Sequence, residues 1–306
     1  ETESPAVRTS VDRFWARVDA LSRQVSLADP VTTGRALDDH SVRWLLDGLD
    51  LDEEAARRIA HGIRDDYTVE LDNLSLLFFC MAEKAAGSDD VGIERYRIAG
   101  GNDQLPGALA DALHDFRDRS TVTRVEQTSG RVTVQAGHTT VSADYCVLAT
   151  PMRPLQEVDF APALPKTLAS AVYSLNYGHV TKTMLQYERR FWRAGETSGD
   201  IETARTIQTV YEATSGQPGR PGILTCYTAG RNALLLQAIG SGTRVQLAAD
   251  EIDDVYPGTR ALLDRAETIA WDAEAPTGGS YVAFAPRRTI LGTVHAGQLT
   301  SYWNTL

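Results

Sequence analysis

The feature that most constrains this chain is a change of hydrophobic period that happens more than once. Helical spacing comes first, strand alternation follows, and helical spacing returns after a second β stretch. Blocks interleaved in this way exclude a plain bundle or a plain barrel, because the chain has to leave one domain and re-enter it. Over the first third, Val11, Phe14, Trp15, Val18, Leu21 and Val25 form one apolar stripe at helical spacing, which Pro30 is expected to end. Val42, Leu45, Leu46 and Leu49 form a second, short stripe. Asp52 is placed to cap a third helix running to Ile63, with Glu53 and Glu54 in the first turn where they suit the helix dipole. A fourth helix, apolar nearly all round and so expected to be buried, spans about 74–86.

The texture changes near Gly87. Gly100–Gly101 precedes a predicted helix over 106–116. Short alternating strands follow at Val122 and Val125, at Val132 and Val134, and at Val141, separated by glycine turns. Residues 145–149 read as a continuous apolar strand, and Pro151, Pro154, Pro162 and Pro165 mark a linker. From Tyr177 to about Gly230 the pattern is β again, with strands over 180–187, 206–212 and 223–228. Helices are predicted over 243–255 and near 261–266, and the tail from Gly278 is irregular. The fold class is α/β in the α+β sense, built as two discontinuous domains.

Composition narrows the function. Thirty Lys and Arg against 41 Asp and Glu give a formal charge of −11, which repels phosphate backbones, so nucleic acid is not an expected partner. Cys80, Cys146 and Cys226 are widely spaced and form no C-x-x-C pair, so each is expected to be a buried small hydrophobe and not part of a disulfide framework or zinc ribbon. The six histidines show no metal spacing, and no metal is expected. The longest largely apolar stretch, residues 74–82, is about half of what a bilayer requires, and no secretory signal is visible. The expectation is a cytoplasmic protein without a membrane partner. The chain begins at Glu1, so its start reads as processed, trimmed or not covered.

Few residues carry chemistry on spacing alone. The nearest approach to a dinucleotide fingerprint is Leu234–Leu236 followed by Gly240–Ser241–Gly242, and Val245 stands where the third glycine belongs. Lys182 is more informative: alternation places it mid-strand on the same face as Val180 and Met184, so an inward face would surround its ammonium with apolar groups. A lysine stem lying on a half-exposed sheet is the plainer reading. Gly100–Gly101 lets backbone approach a ligand closely ahead of free helix N–H groups, or is simply a tight turn. Gly278–Gly279–Ser280–Tyr281 pairs a permissive backbone with an aromatic that either walls a pocket or packs in the core.

At these same residues the sequence resembles the flavin-containing amine oxidases, the family of monoamine, polyamine and L-amino-acid oxidases. Residues 97–106 look like the family's R-I-x-G-G-N-x-x-L-P segment, and residues 160–165 like its F-x-P-x-L-P. Tyr177–Gly178–His179–Val180–Thr181–Lys182, ending at Phe191–Trp192, looks like Y-G-x-V-x-K…F-W. The resemblance implies that Lys182 holds a water against the reactive flavin nitrogen and that Tyr281 forms one wall of an aromatic cage. It implies FAD as cofactor, with Val122, Gly100, Gly101, Ala149 and Trp271 on the cofactor side. Ser280 falls near where some members attach flavin through a cysteine, so no covalent link is expected. Residues 1–90 and 160–275 would form the substrate-type domain; 91–159 and 276–306 would be a remnant of the flavin-binding domain. The family's opening G-x-G-x-x-G unit and its closing A-G-x-E segment have no counterpart in this sequence.

Three readings follow. The chain is an incomplete FAD-dependent amine or amino-acid oxidase; or a flavin-free descendant acting as a cyclase or isomerase; or a non-catalytic binding partner. The expected partners are a small-molecule substrate and either another chain or a second copy in a homo-oligomer.

Overall fold

Ser4 opens the first helix. Its hydroxyl accepts from the Val7 amide at 3.2 Å, and Pro5 occupies a first-turn position where no N–H is needed, so α1 spans Pro5–Ser22. The computed structural model describes residues 4–86, 98–195 and 197–288. The same device then corrects the sequence reading: Pro30 does not end a helix but begins α2 (Pro30–Asp38), because the Asp29 carboxylate caps the Thr32 amide at 3.1 Å. α3 (Val42–Asp47) follows, then α4 (Glu53–Tyr67), whose first turn is capped by Asp52 as expected, with acceptor distances of 2.9 and 3.3 Å to Glu54 and Ala55. After a 3-10 turn at Leu71–Asn73 comes α5 (Leu76–Ala86). These helices close over one core in which Phe14, Val18, Leu46, Ile63, Leu77 and Phe79 are buried. Each such side chain contributes roughly 1.5–3 kcal/mol by leaving water.

α6 (Gln104–Asp111) stops short of the expected 116 and buries no residue; Leu105, Leu109, Leu113 and Phe116 all stay exposed. β1 (Val122–Thr128), β2 (Arg131–Ala136) and β3 (Thr139–Ala143) form an antiparallel meander. The expected strand at 145–149 is absent: these residues pair with nothing among those described, and Tyr145 and Val147 are 89% and 88% exposed. An apolar run reads as a buried parallel strand only if neighbouring strands take its backbone hydrogen bonds. Cys146 is accordingly half-buried, in contrast to the expectation, whereas Cys80 and Cys226 are buried. The proline-marked linker holds a short helix, α7 (Met152–Leu155), and β4 (Asp159–Ala161), which pairs parallel with β1.

The second half carries the sheet that positions the site. α8 (Lys166–Ser174) and β5 (Asn176–Tyr177) lead into β6 (Val180–Tyr187), whose bounds match the expected strand. β7 (Ile201–Glu202), β8 (Thr209–Glu212) and β9 (Gly222–Ala229) follow, then α9 (Gly230–Gln237) and α10 (Ser241–Val255). Leu234–Leu236, read as the strand of a weak fingerprint, lies inside α9. The helix expected near 261–266 is instead β10 (Leu263–Ala270), which follows a 3-10 turn and pairs with β6 along its whole length. Edge pairing overrides a local helical pattern that had no capping to support it. The antiparallel order is β10-β6-β9-β8-β7, and β11 (Val282–Ala283) pairs with β5 apart from it. One face of β6 presents Leu185 and Tyr187 to Ala248, Ala249 and Ile252 of α10 in a second core. The other face, carrying Lys182, Met184 and Gln186, is only half-buried. No helix among the described residues is long and apolar enough to cross a membrane.

Candidate active site

The half-buried face of the sheet is laid out by register. Lys182 on β6 stands opposite Tyr227 on β9, and Tyr227 stands opposite Thr209 on β8. The three side chains therefore form a row across three strands, with Tyr211 one step along on the same face. The Lys182 ammonium lies 5.3 Å from the Tyr227 ring centroid, a cation–π contact worth about 0.5–1 kcal/mol at a part-exposed position. It pairs with no carboxylate among the described residues.

The C-terminal end of α4 packs against this row. The Tyr227 hydroxyl donates to the Asp65 carbonyl at 3.0 Å, the Thr209 hydroxyl donates to Asp65 Oδ2, and His61 Nε2 sits 2.9 Å from Thr209 Oγ1. Burial lifts the Asp65 carboxyl above the usual range, opposed by the Thr209 hydrogen bond and by the nearby His61 and Arg64. Burial, together with the charges of Tyr281 and Asp65, pushes the Tyr227 phenol up, so it is a neutral donor at physiological pH.

Tyr281 reaches the same place from the far end of the chain. The Gly178 amide donates to the Tyr281 carbonyl at 2.7 Å, the Ser280 amide to the Gly178 carbonyl at 3.1 Å, and the Tyr281 amide to Thr68 Oγ1 at 2.8 Å. Such an approach leaves no room for a side chain at position 178, where a Cβ would lie 1.8 Å from Thr68 Oγ1. Gly279 sits at φ +135°, where a Cβ would lie 2.8 Å from Tyr177 Cβ and 3.1 Å from the Gly178 carbonyl oxygen. The Tyr281 side chain, 54% exposed, and Lys182 line one cavity of about 840 Å³, within the range of small-molecule sites. Asp65, Asp66, Thr209 and Tyr227 line it as well, and Ser198, Asp200, Tyr211, Glu212 and Ser215 complete it beside Arg193. Burial alone would raise the Glu212 carboxyl, but donors from Trp192, Arg193 and Thr214 outweigh it and hold it below its ordinary value.

Lys182 and Tyr281 are thus brought together, Lys182 on the predicted face and Tyr281 as a pocket wall instead of core packing. The expected cofactor-side residues lie elsewhere. Gly100 and Gly101 adopt φ +92° and +125° at the exposed entry to α6, and Val122 is half-buried on β1. Ala149 is exposed, and Trp271, just after β10, is half-buried with its amide donating to the Val180 carbonyl at 3.0 Å. None of these five is among the described residues lining the cavity. Arg97 lies outside the described residues. Sequence reasoning missed Tyr227, which the parity of the 223–228 strand would have placed, and Asp65, for which helical spacing offers no signal.

The family model for flavin containing amine oxidoreductases matches residues 16–299. The chain belongs to this family. It is 30% identical over 170 residues to an L-amino-acid oxidase of Protobothrops flavoviridis, covering 52% of this chain and 33% of that protein. It is 27% identical over 202 residues to an L-amino-acid oxidase of Naja atra, covering 62% and 39%. The chain therefore spans between a third and two-fifths of the length of these relatives. A putrescine oxidase bound to putrescine superposes with a TM-score of 0.83 at 23% identity, over 98% of this chain and 68% of that one. A cyclohexylamine oxidase from Brevibacterium oxydans gives 0.81 at 20%, over 96% and 68%. At these identities the structural likeness speaks for the fold. The expected family and the mixed α and β fold class both hold.

Proposed function

We propose that this chain carries the amine-binding part of an FAD-dependent amine or amino-acid oxidase. The observation that carries the reading is the meeting of Lys182 and Tyr281 on one cavity, the two positions that the family resemblance singles out. The described residues suit the reactive end of a flavin: an ammonium steadied over the Tyr227 ring and the Tyr281 phenol both line a space large enough for substrate. They supply no pyrophosphate cradle, so that part of the cofactor has to be held by other residues. The flavin, when bound, supplies the acceptor for the two electrons and the hydrogen that leave the C–N unit.

The chain's own residues do the rest. Lys182 holds a water by charge-assisted hydrogen bonding and orients it towards the reacting centre. Tyr281 offers a ring face that fixes the approach of the amine, with its backbone clamped by Gly178 and Thr68. Tyr227 buttresses the lysine from below and stays protonated. The names of the relatives support both amines and amino acids as substrates.

The test is the visible spectrum of the purified protein after addition of FAD, together with amine-dependent peroxide release for the parent and for Lys182→Met. A flavin spectrum and a loss of turnover of about 100-fold in the variant are expected, in line with the removal of a group that orients a reactant. Unchanged turnover in Lys182→Met overturns the reading.

A further inference from the structure

Two groups on one face of α4 share a single hydroxyl. His61 and Asp65 stand four residues apart, which places them side by side on the helix. Thr209 of β8 bridges them: its hydroxyl donates to Asp65 Oδ2, and His61 Nε2 lies 2.9 Å from the same Thr209 oxygen. A hydroxyl carries one proton and accepts on its lone pairs. While that proton is given to the Asp65 carboxylate, His61 Nε2 has to be the donor. Once Asp65 is itself protonated and donates to Thr209, the hydroxyl proton turns to Nε2. The three groups therefore form a chain along which a proton can pass. Its ends differ. Asp65 and Thr209 line the cavity, whereas His61 is not among the described lining residues and yet keeps 18% of its side chain exposed. Asp65 Oδ1 is closed off, buried without a hydrogen-bond partner, so Oδ2 is the oxygen that exchanges protons.

Resting on the oxidase reading above, we propose that Asp65, Thr209 and His61 form an outlet that carries the proton of a charged substrate amine from the cavity to solvent before the C–N unit is oxidised. The amine N–H bond breaks and an O–H bond forms at Asp65 Oδ2. That proton passes to Thr209 Oγ1 while the hydroxyl's own proton passes to His61 Nε2, which leaves the carboxylate ionised and the imidazole charged. His61 then gives its Nδ1 proton to water. One proton enters and one leaves, and exchange with solvent resets the imidazole tautomer. The amine keeps the lone pair that oxidation requires, and the Lys182 ammonium on the same cavity disfavours a second positive charge. The surroundings of the carboxyl suit this traffic. Burial lifts Asp65 above the ordinary range and Glu202, opposite Thr209 on β7, lifts it further, while the Thr209 hydrogen bond, His61 and Arg64 oppose them. Two neighbouring groups are poor acceptors by comparison. The Tyr227 phenol is a neutral donor committed to the Asp65 carbonyl, and Trp192, Arg193 and Thr214 hold Glu212 ionised.

Stopped-flow mixing of the purified protein with 1-aminobutane and a pH-indicator dye follows the proton directly and needs no flavin. The parent chain and Thr209→Ser, which keeps the hydroxyl, should release a proton on binding the amine at similar rates. Thr209→Val, close to threonine in shape, and His61→Gln should release it about 10-fold more slowly, as loss of a proton-transfer group does. The second arm is amine-dependent peroxide release with FAD at about pH 7 and about pH 10, where a primary amine is charged and where much of it is not. Thr209→Val and His61→Gln should fall about 10-fold at the lower pH and come within about 2-fold of the parent at the higher, where the amine brings no proton to export. A merely structural role would leave the same deficit at both. No proton released by the parent, equal release in Thr209→Val, no rescue by Thr209→Ser, or a deficit independent of pH overturns the proposal. Turnover by the parent with release unaffected in the variants sinks the outlet alone. Release that depends on the hydroxyl, without turnover in the presence of FAD, sinks the oxidase reading and leaves the outlet standing.

Discussion

Replacing Gly178 by alanine should cost about 2–4 kcal/mol of stability, and the figure follows from the local geometry. A Cβ at this position would meet Thr68 Oγ1 at 1.8 Å, Thr68 Cβ at 2.7 Å and the Thr68 carbonyl oxygen at 2.7 Å. Ordinary contact begins near 3.4 Å, so Thr68 would have to retreat by well over an ångström. It has nowhere to go, being 0% exposed. Overpacking of this kind costs about 1–3 kcal/mol. The retreat also breaks the hydrogen bond from the Tyr281 amide to Thr68 Oγ1, now 2.8 Å, worth about 1 kcal/mol more. Urea unfolding followed by tryptophan fluorescence measures the difference. Adding Thr68→Gly to the variant removes the hydroxyl and Cβ but not the carbonyl, and glycine suits the φ of +61° there, so about half of the loss should return. A Gly178→Ala cost below about 0.5 kcal/mol would show that the two segments do not approach as described, and the clamp on Tyr281 would go with them.

Lys182→Met should change stability by no more than about 1 kcal/mol, because it exchanges a cation–π contact for apolar packing beside Met184, and thermal melts alongside the turnover assay separate that small effect from a catalytic one. Thiol titration of the native chain should find Cys146 reactive ahead of Cys80 and Cys226, whose thiols burial pushes up to about 11 and 12; rapid reaction of all three before unfolding would contradict the two cores. The raised Asp65 carboxyl means that the native state holds a proton more tightly than the unfolded chain does. Its contribution to stability is therefore present at acid pH and lost as pH rises from the ordinary carboxylate value through the native one. Asp65→Asn should flatten that part of the stability–pH curve and stabilise the ligand-free protein at neutral pH; superimposable curves would refute the assignment.

Local chemistry that is complete within a few residues was legible in the sequence. Asp52 as a cap and the 180–187 strand needed nothing beyond their neighbours. Apart from Pro30, the failures share one cause, which is dependence on a partner distant in the chain. Pro30 starts a helix because Asp29 caps it, a signal available locally but outweighed by reading proline as a terminator. Residues 263–270 are a strand because β6 offers its edge, and 145–149 are not one because no described strand pairs with them. In the sequence Tyr281 suits either a pocket or the core, and only the Gly178 and Thr68 contacts decide between the two. Asp65 had no local signal at all, since its role depends on where the end of α4 meets the sheet.

That meeting point explains why the site holds together although its parts come from opposite ends of the chain. Thr68 ends α4 in a left-handed conformation, its amide still closing the helix on the Arg64 carbonyl at 2.7 Å. A non-glycine residue bears some strain there, which the surrounding hydrogen bonds offset. The turn aims its carbonyl at the His179 amide, 2.9 Å away, and its hydroxyl oxygen at the Tyr281 amide. One buried residue thus fixes the strand entry that leads to Lys182 and the loop that carries Tyr281. Asp65 lies three residues earlier on the same helix end, tied to Tyr227 and Thr209. A displacement of the α4 terminus would therefore move the ring wall, the lysine strand and the buried carboxylate together. The geometry of the cavity is set less by the sheet that floors it than by the last turn of the helix that abuts it.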